Sequence, residues 1–427
     1  MGQCLARKTD VSLPETAFGN YILKHDSLQM ARQLVLDKLA SPTANDHQNS
    51  LSHDMVADAI LQILFGKISI RKPLSSTIRA DYYITCILPI KKILDTASNI
   101  SFDVMELDNV SNHQPLSTLG YWVLRQEDLI RSCDLDESRL INILQHIEKG
   151  YAENPYHNRI HIADVLQKMY YILSRPSATA IRNNIWLLAS YFACIVHDFE
   201  HAGVTNDFLV QSKHSLAVEY NDISPNENHH VAAAFAVLYD DEFNFICNMS
   251  SVHQNEFREL VIDLVLATDM TKHIVVLNTF HLAFKFPIVE SDTVSQQKRN
   301  VSALELAIKC SDLGHVAAPE KLHRKWVTRL ENEMFLQGDL ERKMKLIESP
   351  LMQREGPGIT SAQTRFFEII VIPTFDALIH VFPDAKPMLN EVMRNYNIWT
   401  TFRDTESTDD DKLLKNMGGR MKNIIPH

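Results

Sequence analysis

Glycine is scarce in this sequence. Only 12 of its 427 residues are glycine, about 3% against about 7% in an average protein. Rossmann folds and P-loop proteins need glycine in their phosphate-binding loops, and β-barrels need it at their turns. These classes are therefore disfavoured. Because strand-like alternation of apolar and polar residues is also nearly absent, the sequence predicts a fold built from helices.

Long apolar runs and paired cysteines are also missing. The longest apolar run, Ile185 to Val196, has about 12 residues, whereas a helix that crosses a bilayer needs roughly 20. It is therefore predicted to be a buried core helix. The six cysteines contain no C-x-x-C pair and are too sparse for a disulfide framework. We therefore expect reduced thiols in a cytoplasmic protein.

Basic residues are in the minority. The chain has 42 Lys and Arg against 53 Asp and Glu, a net charge of −11. Proteins that bind nucleic acid through its phosphates usually have a basic surface, so no nucleic-acid partner is expected. Apolar residues make up 45% of the chain, which is enough for a large core, and the 19 histidines are clustered rather than scattered.

The first residues resemble a membrane anchor. Removal of Met1 would expose Gly2 as a myristate acceptor, and Cys4 could carry palmitate. Two acyl chains hold a protein at a membrane, whereas one barely does. Ala6 stands where the usual pattern has Ser or Thr, so an ordinary solvated N-terminus is the alternative. Gly2 and Cys4 are therefore candidate lipidation sites.

The chain divides into three predicted regions. Residues 1–95 form an N-terminal extension that is partly flexible, and residues 406–427 form a polar tail. Between them, residues 96–405 consist of helix-periodic segments joined by short polar connectors, which predicts one helical domain. The extension is a candidate anchor, autoinhibitory segment or homodimer contact.

The first histidine cluster is Asn154-Pro155-Tyr156-His157-Asn158-Arg159-Ile160-His161. Asn154 is a good N-cap and Pro155 suits the first helical position, so a helix is predicted to begin here. His157 and His161 would then lie one turn apart on the same face. Taken alone, such a pair is more often a surface or hydrogen-bonded pair than a functional one.

Two further clusters stand at the ends of predicted helices. His197 and Asp198 follow the apolar run that ends at Val196, and Asp312 follows the helical stretch Ala303 to Cys310. Burying an ionised Asp is costly unless a positive group meets it. A metal ion would meet that need for Asp198, and a buried His–Asp ion pair is the alternative. Asp312 taken alone is an ordinary residue of a helix C-terminus.

Together these clusters offer two imidazoles and two carboxylates, from His161, His197, Asp198 and Asp312. This set suits zinc or a similar divalent ion, with positions left open for water. A harder ion such as magnesium could share Asp198 and otherwise keep its waters. Two ions that share a hydroxide suit in-line attack at phosphorus, and His157 could then protonate the leaving alkoxide.

At this point the sequence resembles the class I cyclic nucleotide phosphodiesterases. The resemblance covers about Ser101 to Trp399 in consistent order. The matching motifs are H-N-x-x-H from His157, H-D-x-x-H-x-G-x-x-N from His197, E-N-H-H from Glu227, L-A-T-D-M-T-K-H from Leu266, the later Asp312, the segment Trp326 to Asp339, and Gln363 followed by Phe366.

The resemblance implies a compact all-α bundle of about sixteen helices, of the HD-domain type. It implies that the four ligands bind a zinc-like ion and that Asp198 bridges to magnesium or manganese. It further implies that His157 is the general acid. The implied water-holding residues around the second ion are His201, Glu227 and Thr268. The implied substrate-binding residues are Tyr156, Asn158, His315, Leu330, Met334, Gln363 and Phe366.

Some residues depart from the family pattern. Glu200 replaces the usual Asp and Ala202 the usual Pro, so altered loop geometry is expected there rather than a lost metal. Met334 replaces a usual Phe of the pocket wall. His315 stands where cAMP-preferring members often have Asn and some dual-specificity members have His. No departure removes a ligand or the general acid, which argues against an inactive enzyme.

The resemblance implies hydrolysis of a cyclic nucleotide to the 5′-monophosphate, with cAMP as the expected substrate and cGMP as a second candidate. The amide of Gln363 can face either purine, because it can donate or accept, so the base is left open. Residues Ser101 to Gly120 resemble cAMP-preferring members, while His315 favours dual use. The alternatives are a catalytically silent cyclic-nucleotide sensor, an HD-type nucleotide phosphohydrolase, and a helical scaffold with a structural metal.

Overall fold

The structure is a computed structural model that describes residues 87–285 and 292–401. From Ile90 onward, all described residues belong to one compact unit. The predictions for Gly2 and Cys4, for most of the extension 1–95 and for the tail 406–427 lie outside the described residues.

The described chain is a succession of α-helices joined by short turns. They are α1 Leu88–Leu94, α2 Val104–Val110, α3 Pro115–Gln126, α4 Leu129–Ser132, α5 Glu137–Gly150, α6 Arg159–Leu173, α7 Asn184–Val196, α8 Asn206–Gln211, α9 Ser215–Glu219, α10 Pro225–Leu238, α11 Ser251–Ala267, α12 His273–Lys285, α13 Thr293–Asp312, α14 Glu320–Met344, α15 Gln363–Phe366 and α16 Ile372–Val381. Residues 386–401 form a further helical segment, α17. Short 3₁₀ turns join several of them, and a π-helical turn, Phe367–Val371, joins α15 to α16.

Residues 87–285 and 292–401 contain no β-strand. The prediction of an all-α bundle of about sixteen helices is therefore confirmed. The low glycine content agrees with this result, because long helices need few residues with unusual backbone angles.

Helix α7 lies at the centre of the bundle. Every residue from Ile185 to Val196 is buried, and the helix packs against α6 on one side and α11 on another. This confirms the predicted core helix. An all-round apolar helix is expected only where other elements cover every face. In the described residues, no helix has both the length and the apolar character needed to cross a bilayer.

The packing of α6, α7 and α13 brings three helix ends together. Helix α6 contacts both α7 and α13. The N-terminal turn of α6 carries His161, His197 caps the C-terminus of α7, and Asp312 is the last residue of α13. Residues that are far apart in the sequence therefore meet at one place.

The loop after α14 folds back along that helix. A Cβ atom on Gly338 would lie 1.9 Å from the carbonyl oxygen of Met352, so only glycine allows this approach. Gly358 has a φ of +60°, and a Cβ there would lie 2.2 Å from Oε1 of Glu331. These two glycines let the loop lie close to α14 before the chain enters α15 at Gln363.

Candidate active site

The four predicted ligands form one cluster. Ligand atoms of His161, His197, Asp198 and Asp312 all lie within 4.8 Å of one another. Nε2 of His161 is 3.2 Å from Oδ1 of Asp312, and Nε2 of His197 is 3.2 Å from Oδ2 of Asp198. Two carboxylates and two imidazoles within this space are a donor set typical of a divalent metal site.

The hydrogen bonds of His197 test whether a cation fits this cluster. Its Nδ1 lies 2.9 Å from the carbonyl oxygen of Cys194, which can only accept. Nδ1 therefore carries the hydrogen, and in the neutral imidazole Nε2 has a free lone pair. This Nε2 is buried without a hydrogen-bond partner and faces the two carboxylates. A cation between these groups would satisfy all of them, so the residues fit a metal ion.

The electrostatics of the cluster also favour a bound cation. Burial alone would raise the pKa of Asp312, but the neighbouring imidazoles of His161 and His197 hold that pKa far below its usual value. Burial lowers the pKa of His197, but the carboxylates of Asp198 and Asp312 raise it well above its usual value. The carboxylates therefore remain ionised and favour positive charge at this point.

A second group of ligand atoms adjoins the first through Asp198. It consists of Asp198, His201 and His230. Nε2 of His230 lies 3.9 Å from Oδ1 of Asp198 and has no hydrogen-bond partner, while its Nδ1 donates to the carbonyl oxygen of Phe199 at 2.6 Å. His230 has the same arrangement as His197 but was not among the predicted site residues.

His201 differs from His230 in its tautomer. Its Nδ1 accepts the backbone N–H of Gly203 at 2.9 Å, so its hydrogen lies on Nε2. Burial and the charge of His157 hold the pKa of His201 well below its usual value, so the ring is neutral. A neutral Nε2–H donates a hydrogen bond and cannot ligate a metal. This tautomer suits a residue that holds a water.

His157 lies in a turn before α6, which corrects the predicted helix start. The helix begins at Arg159, and its N-cap is Asn158, whose side chain accepts the N–H groups of Ile160 and His161. Asn154 does not cap the helix. Its side-chain amide donates instead to the carbonyl oxygens of His157 and His201, at 3.0 and 2.8 Å.

Glu333 explains why the helix starts later. This buried residue of α14 accepts the backbone N–H of Tyr156 at 2.8 Å and that of His157 at 3.0 Å. It also contacts Nδ1 of His157. A helix that started at Asn154 would leave these N–H groups without a partner inside the helix. Glu333, on a distant helix, accepts them instead.

Glu333 also changes the acidity of His157. Burial lowers the pKa of His157, but the charge of Glu333 and its hydrogen bond outweigh this effect and raise it to about 9. The pKa of Glu333 falls to about 2 against the effect of burial. His157 therefore carries a proton at neutral pH, and its ring stacks on His201 at 4.1 Å between centroids. Glu333 lies within a segment that matched the family, yet the sequence analysis did not single it out.

Glu227 lies in none of the groups of close His, Cys, Asp and Glu ligand atoms found among the described residues. The carboxylate of Glu227 accepts the amide of Asn206 at 2.9 Å, and burial raises its pKa to about 7. Thr268 caps α11 and donates its hydroxyl to the carbonyl oxygen of Val265 at 2.7 Å.

The predicted substrate residues differ in their burial and in the element that carries them. Tyr156 is buried, and its ring lies 4.5 Å from that of His161. Leu330 and Met334 are half-buried, one turn apart on α14, and Phe366 is half-buried on α15. The predicted packing of Leu330 and Phe366 around a base stays a prediction.

Gln363 is buried with a defined amide orientation. Its Nε2 lies 3.2 Å from the carbonyl oxygen of Ile359. Because that oxygen can only accept, the NH₂ group must face it. Oε1 is buried and has no protein partner in the described residues. The sequence could not supply this orientation.

His315 lies beside the cluster in the 3₁₀ turn Gly314–Ala317. It is buried, and its ring lies 5.9 Å from the ring of Tyr156. Helix α17 supports this turn, because the amide of Asn395 donates to the carbonyl oxygens of Val316 and Ala318 at 2.9 and 2.8 Å.

Glu200, one of the departures from the family pattern, lies in the loop between two members of the site, Asp198 and His201. Glu200 has a φ of 62°, in the left-handed region that non-glycine residues seldom adopt. Its carboxylate accepts Nε2 of His229 at 2.9 Å. The neighbouring ligands His197 and Asp198 still join the cluster. The expected change of loop geometry relative to the family stays a prediction.

Comparison with known proteins identifies the family. The family model described as "3'5'-cyclic nucleotide phosphodiesterase" matches residues 156–392. The chain belongs to this family. The match lies inside the predicted domain 96–405 and contains every predicted metal ligand. The resemblance inferred from the motifs is therefore confirmed.

Relatives of this phosphodiesterase family member differ in their printed specificity. A probable 3',5'-cyclic-AMP phosphodiesterase, pde-4, of Caenorhabditis elegans is 32% identical over 83% of this chain and 53% of its own length. The 3',5'-cyclic-AMP phosphodiesterase 4C of Rattus norvegicus is 33% identical, over 71% of the chain and 58% of its own length. The dual specificity calcium/calmodulin-dependent 3',5'-cyclic nucleotide phosphodiesterase 1C of Homo sapiens is 36% identical, over 68% of the chain and 40% of its own length. The chain spans about half the length of the curated relatives it matches.

Proposed function

We propose that this protein hydrolyses a 3′,5′-cyclic nucleotide to the 5′-monophosphate and prefers cAMP to cGMP. The observation that carries the proposal is the position of a proton donor beside a metal-binding cluster. The ring of His157 lies 5.7 Å from that of His161, and its pKa of about 9 keeps it protonated at neutral pH. This combination is what cleavage of a phosphodiester requires.

Two divalent ions are part of the proposal. His161, His197, Asp198 and Asp312 would hold the first, for which zinc suits the mixed nitrogen and oxygen donors. Asp198 would also contact the second, magnesium or manganese, whose waters His201, Glu227 and Thr268 would hold. When bound, the ions supply Lewis-acid activation of water and of the phosphoryl group.

The chain's own residues supply the proton for the leaving group. His157 donates its Nε2 proton to the O3′ oxygen as the P–O3′ bond breaks. Glu333 keeps Nδ1 of His157 hydrogen-bonded, so the ring is charged and Nε2 faces away from α14. Stacking on His201 limits rotation of the ring. The proton is therefore held where the O3′ alkoxide needs it.

The orientation of Gln363 supports a preference for adenine. With Nε2 bonded to Ile359, the buried Oε1 remains as an acceptor. Adenine carries a donor at its 6-amino group, whereas guanine carries an acceptor at O6. An acceptor on the protein therefore complements cAMP and opposes the O6 of cGMP. Leu330, Met334 and Phe366 would pack against the purine, and Tyr156 and Asn158 would line the site.

The remaining partners follow from the charge and the N-terminus. With a net charge of −11, the protein is not expected to bind nucleic acid. Acylation at Gly2 and Cys4 would bring an otherwise cytoplasmic protein to the membrane. A homodimer is a further part of the proposal, with the extension 1–95 as its candidate contact.

The test is hydrolysis of cAMP and cGMP side by side, with magnesium and after chelation. We expect metal-dependent release of the 5′-monophosphate and a higher kcat/KM for cAMP. Asp312→Ala is the inactive control. Faster turnover of cGMP would overturn the base assignment. No turnover of either nucleotide, with metal bound, would favour the silent sensor and make nucleoside triphosphates the next substrates to try.

Gln363→Ala tests the base contact separately. The variant should raise KM for the preferred nucleotide by about tenfold, because one buried hydrogen bond contributes about 1–3 kcal/mol. Since this contact is made equally in the ground and transition states, kcat should change little. An unchanged KM would mean that other residues hold the base.

A further inference from the structure

The turn that carries His197 and Asp198 is held by a tyrosine from another part of the chain. Tyr151 directly follows α5 and is buried. Its hydroxyl donates to the carbonyl oxygen of Ile195 at 2.7 Å. Ile195 belongs to the last turn of α7, and His197 follows that helix as its C-cap. Tyr151 therefore bonds to the backbone beside two candidate metal ligands.

The end of a helix leaves carbonyl oxygens that need donors from elsewhere. At the end of α7, three consecutive carbonyl oxygens have three different donors. The oxygen of Cys194 accepts from Nδ1 of His197 at 2.9 Å, and that of Val196 accepts the backbone N–H of Phe199 at 3.0 Å. The oxygen between them, on Ile195, accepts the tyrosine hydroxyl. The hydroxyl is therefore one of the three bonds that define this turn.

The hydroxyl of Tyr151 also faces the backbone of Asp198. Burial and the carboxylate of Asp198 raise the pKa of Tyr151 well above its usual value, against the opposite effect of the Asp198 backbone N–H. The hydroxyl therefore keeps its proton at neutral pH and remains a donor to Ile195. Its oxygen can accept at the same time. One hydroxyl group thus meets the backbone on both sides of His197.

The neighbouring Gly150 supports the next residue of the same turn. A Cβ on Gly150 would lie 2.2 Å from Cε2 of Phe199, so the glycine lets this ring lie directly on the end of α5. The rings of Tyr151 and Phe199 meet edge to face, at 6.1 Å between centroids. The carbonyl oxygen of Phe199 in turn accepts Nδ1 of His230 at 2.6 Å. The end of α5 therefore supports both groups of ligand atoms that share Asp198.

We propose that Tyr151 is a positioning residue for the metal site, whose hydroxyl holds the turn after α7 so that His197 and Asp198 present their ligand atoms to the same ion. This inference rests on the metal cluster of the proposed function. Nε2 of His197 and Oδ2 of Asp198 belong to neighbouring residues and lie 3.2 Å apart. A rotation of the backbone between the two residues would move these atoms in different directions, so the turn must be fixed.

The expected size of the effect follows from the position of Tyr151. Replacing residues that orient metal ligands commonly lowers metal affinity by about 10–100-fold. Tyr151 acts on His197 and Asp198 through their backbone, so loss of its hydroxyl leaves the set of ligands complete. We therefore expect a loss of affinity at the lower end of that range.

Two variants separate this role from a general effect on the core. Tyr151→Phe removes the hydroxyl and keeps the ring that packs against Phe199. Tyr191→Phe is the matched control, because Tyr191 lies on α7, is fully buried, and has a hydroxyl without a hydrogen-bond partner in the described residues. Each variant loses one buried oxygen atom, but only Tyr151→Phe loses a bond to the turn that carries the ligands.

The first measurement is the binding of Co²⁺ to the metal-free protein, in competition with a chelator and followed by the visible absorption of the bound ion. We expect the dissociation constant to rise about tenfold in Tyr151→Phe. The absorption band should change too, because it depends on the geometry of the ligands. Tyr191→Phe should match the wild type. Wild-type affinity and spectrum in Tyr151→Phe would overturn the proposal, and so would an equal loss of affinity in both variants.

The second measurement uses the metal-free protein alone. Amide hydrogen exchange reports local opening of the backbone, and we expect faster exchange in peptides that cover residues 194–201 of Tyr151→Phe. Tyr191→Phe should exchange there like the wild type. Unchanged exchange in this segment of Tyr151→Phe would overturn the proposal. Faster exchange throughout the protein, with unchanged Co²⁺ affinity, would also overturn it and leave Tyr151 a purely structural role.

Failure of the proposed function would give a different result. If the wild type binds Co²⁺ but hydrolyses neither cyclic nucleotide, the proposed reaction is refuted, and the two measurements still decide the role of Tyr151. If the wild type binds no Co²⁺, the metal site and the positioning role of Tyr151 are refuted together.

Discussion

Glu333→Gln isolates the effect of one carboxylate on the proposed general acid. The amide keeps the shape of Glu333, and its carbonyl oxygen can still accept the N–H groups of Tyr156 and His157, while its NH₂ group replaces the oxygen that accepts from Nδ1 of His157. Burial lowers the pKa of His157, and the variant removes the largest of the negative charges that outweigh burial and raise this pKa to about 9. The variant should therefore lower the pKa of His157. In the wild type His157 keeps its proton to a higher pH than it does in the variant.

The magnitude follows from the protonated fraction of His157. With a pKa near 6.5, about a tenth of the molecules are protonated at about pH 7.5, so kcat/KM should fall about tenfold there. At about pH 6 most molecules are still protonated, and the fall should be less than about twofold. The pH profile of kcat/KM, measured with cAMP and saturating magnesium, distinguishes this pH-dependent fall from an equal loss of activity at every pH.

The matched control is Glu341→Gln, another buried acid of α14. Its carboxylate accepts from Ser349 and Gln337 and has no bond to His157. This variant should leave the alkaline limb of the profile where it is in the wild type. If Glu333→Gln also leaves that limb unmoved and lowers the rate equally at every pH, then Glu333 does not set the acidity of the proton donor.

Three further changes test the cluster, the acid and the fold. Asp312→Ala should lose bound metal, measured by elemental analysis of the purified protein, and should abolish turnover; full activity would refute the ligand assignment. His157→Ala should retain metal but slow turnover by roughly 10²–10⁴, and loss of metal instead would make His157 a ligand. Gly338→Ala should destabilise the protein by about 1–3 kcal/mol in a denaturant titration, because its Cβ would lie 1.9 Å from the carbonyl oxygen of Met352. Gly356→Ala, whose nearest contact would be 3.2 Å, should cost much less, and equal costs would contradict the close approach.

Part of the cluster could be predicted from local sequence, because His197 and Asp198 follow a fully buried apolar helix and Asp312 ends another helix. His197 and Asp198 follow a run that must be buried, so a charged residue there needs an explanation. The helix that ends at Asp312 was predicted in the same way. Local sequence carries such information, since burial and helix periodicity are properties of a short segment.

The start of α6 could not be predicted in this way. Asn154 and Asn158 are both good N-caps, and Pro155 favours the earlier one. The choice is made by Glu333, which is 177 residues from Tyr156 in the sequence and takes its backbone N–H. The roles of Glu333 and His230 and the amide orientation of Gln363 likewise depend on tertiary contacts. No local pattern specifies them.

The candidate ligands are far apart in the sequence, so a bound ion would also affect the stability of the fold. His161 and Asp312, whose side chains meet at 3.2 Å, are 151 residues apart in the chain. An ion held by both would act as a cross-link that joins α6 to α13 in the folded protein only. Ligands that bind only the folded state stabilise it, by about 2.7 kcal/mol at a hundred times their dissociation constant. Metal supply would therefore govern how long the protein survives heat or proteolysis, as well as whether it is active.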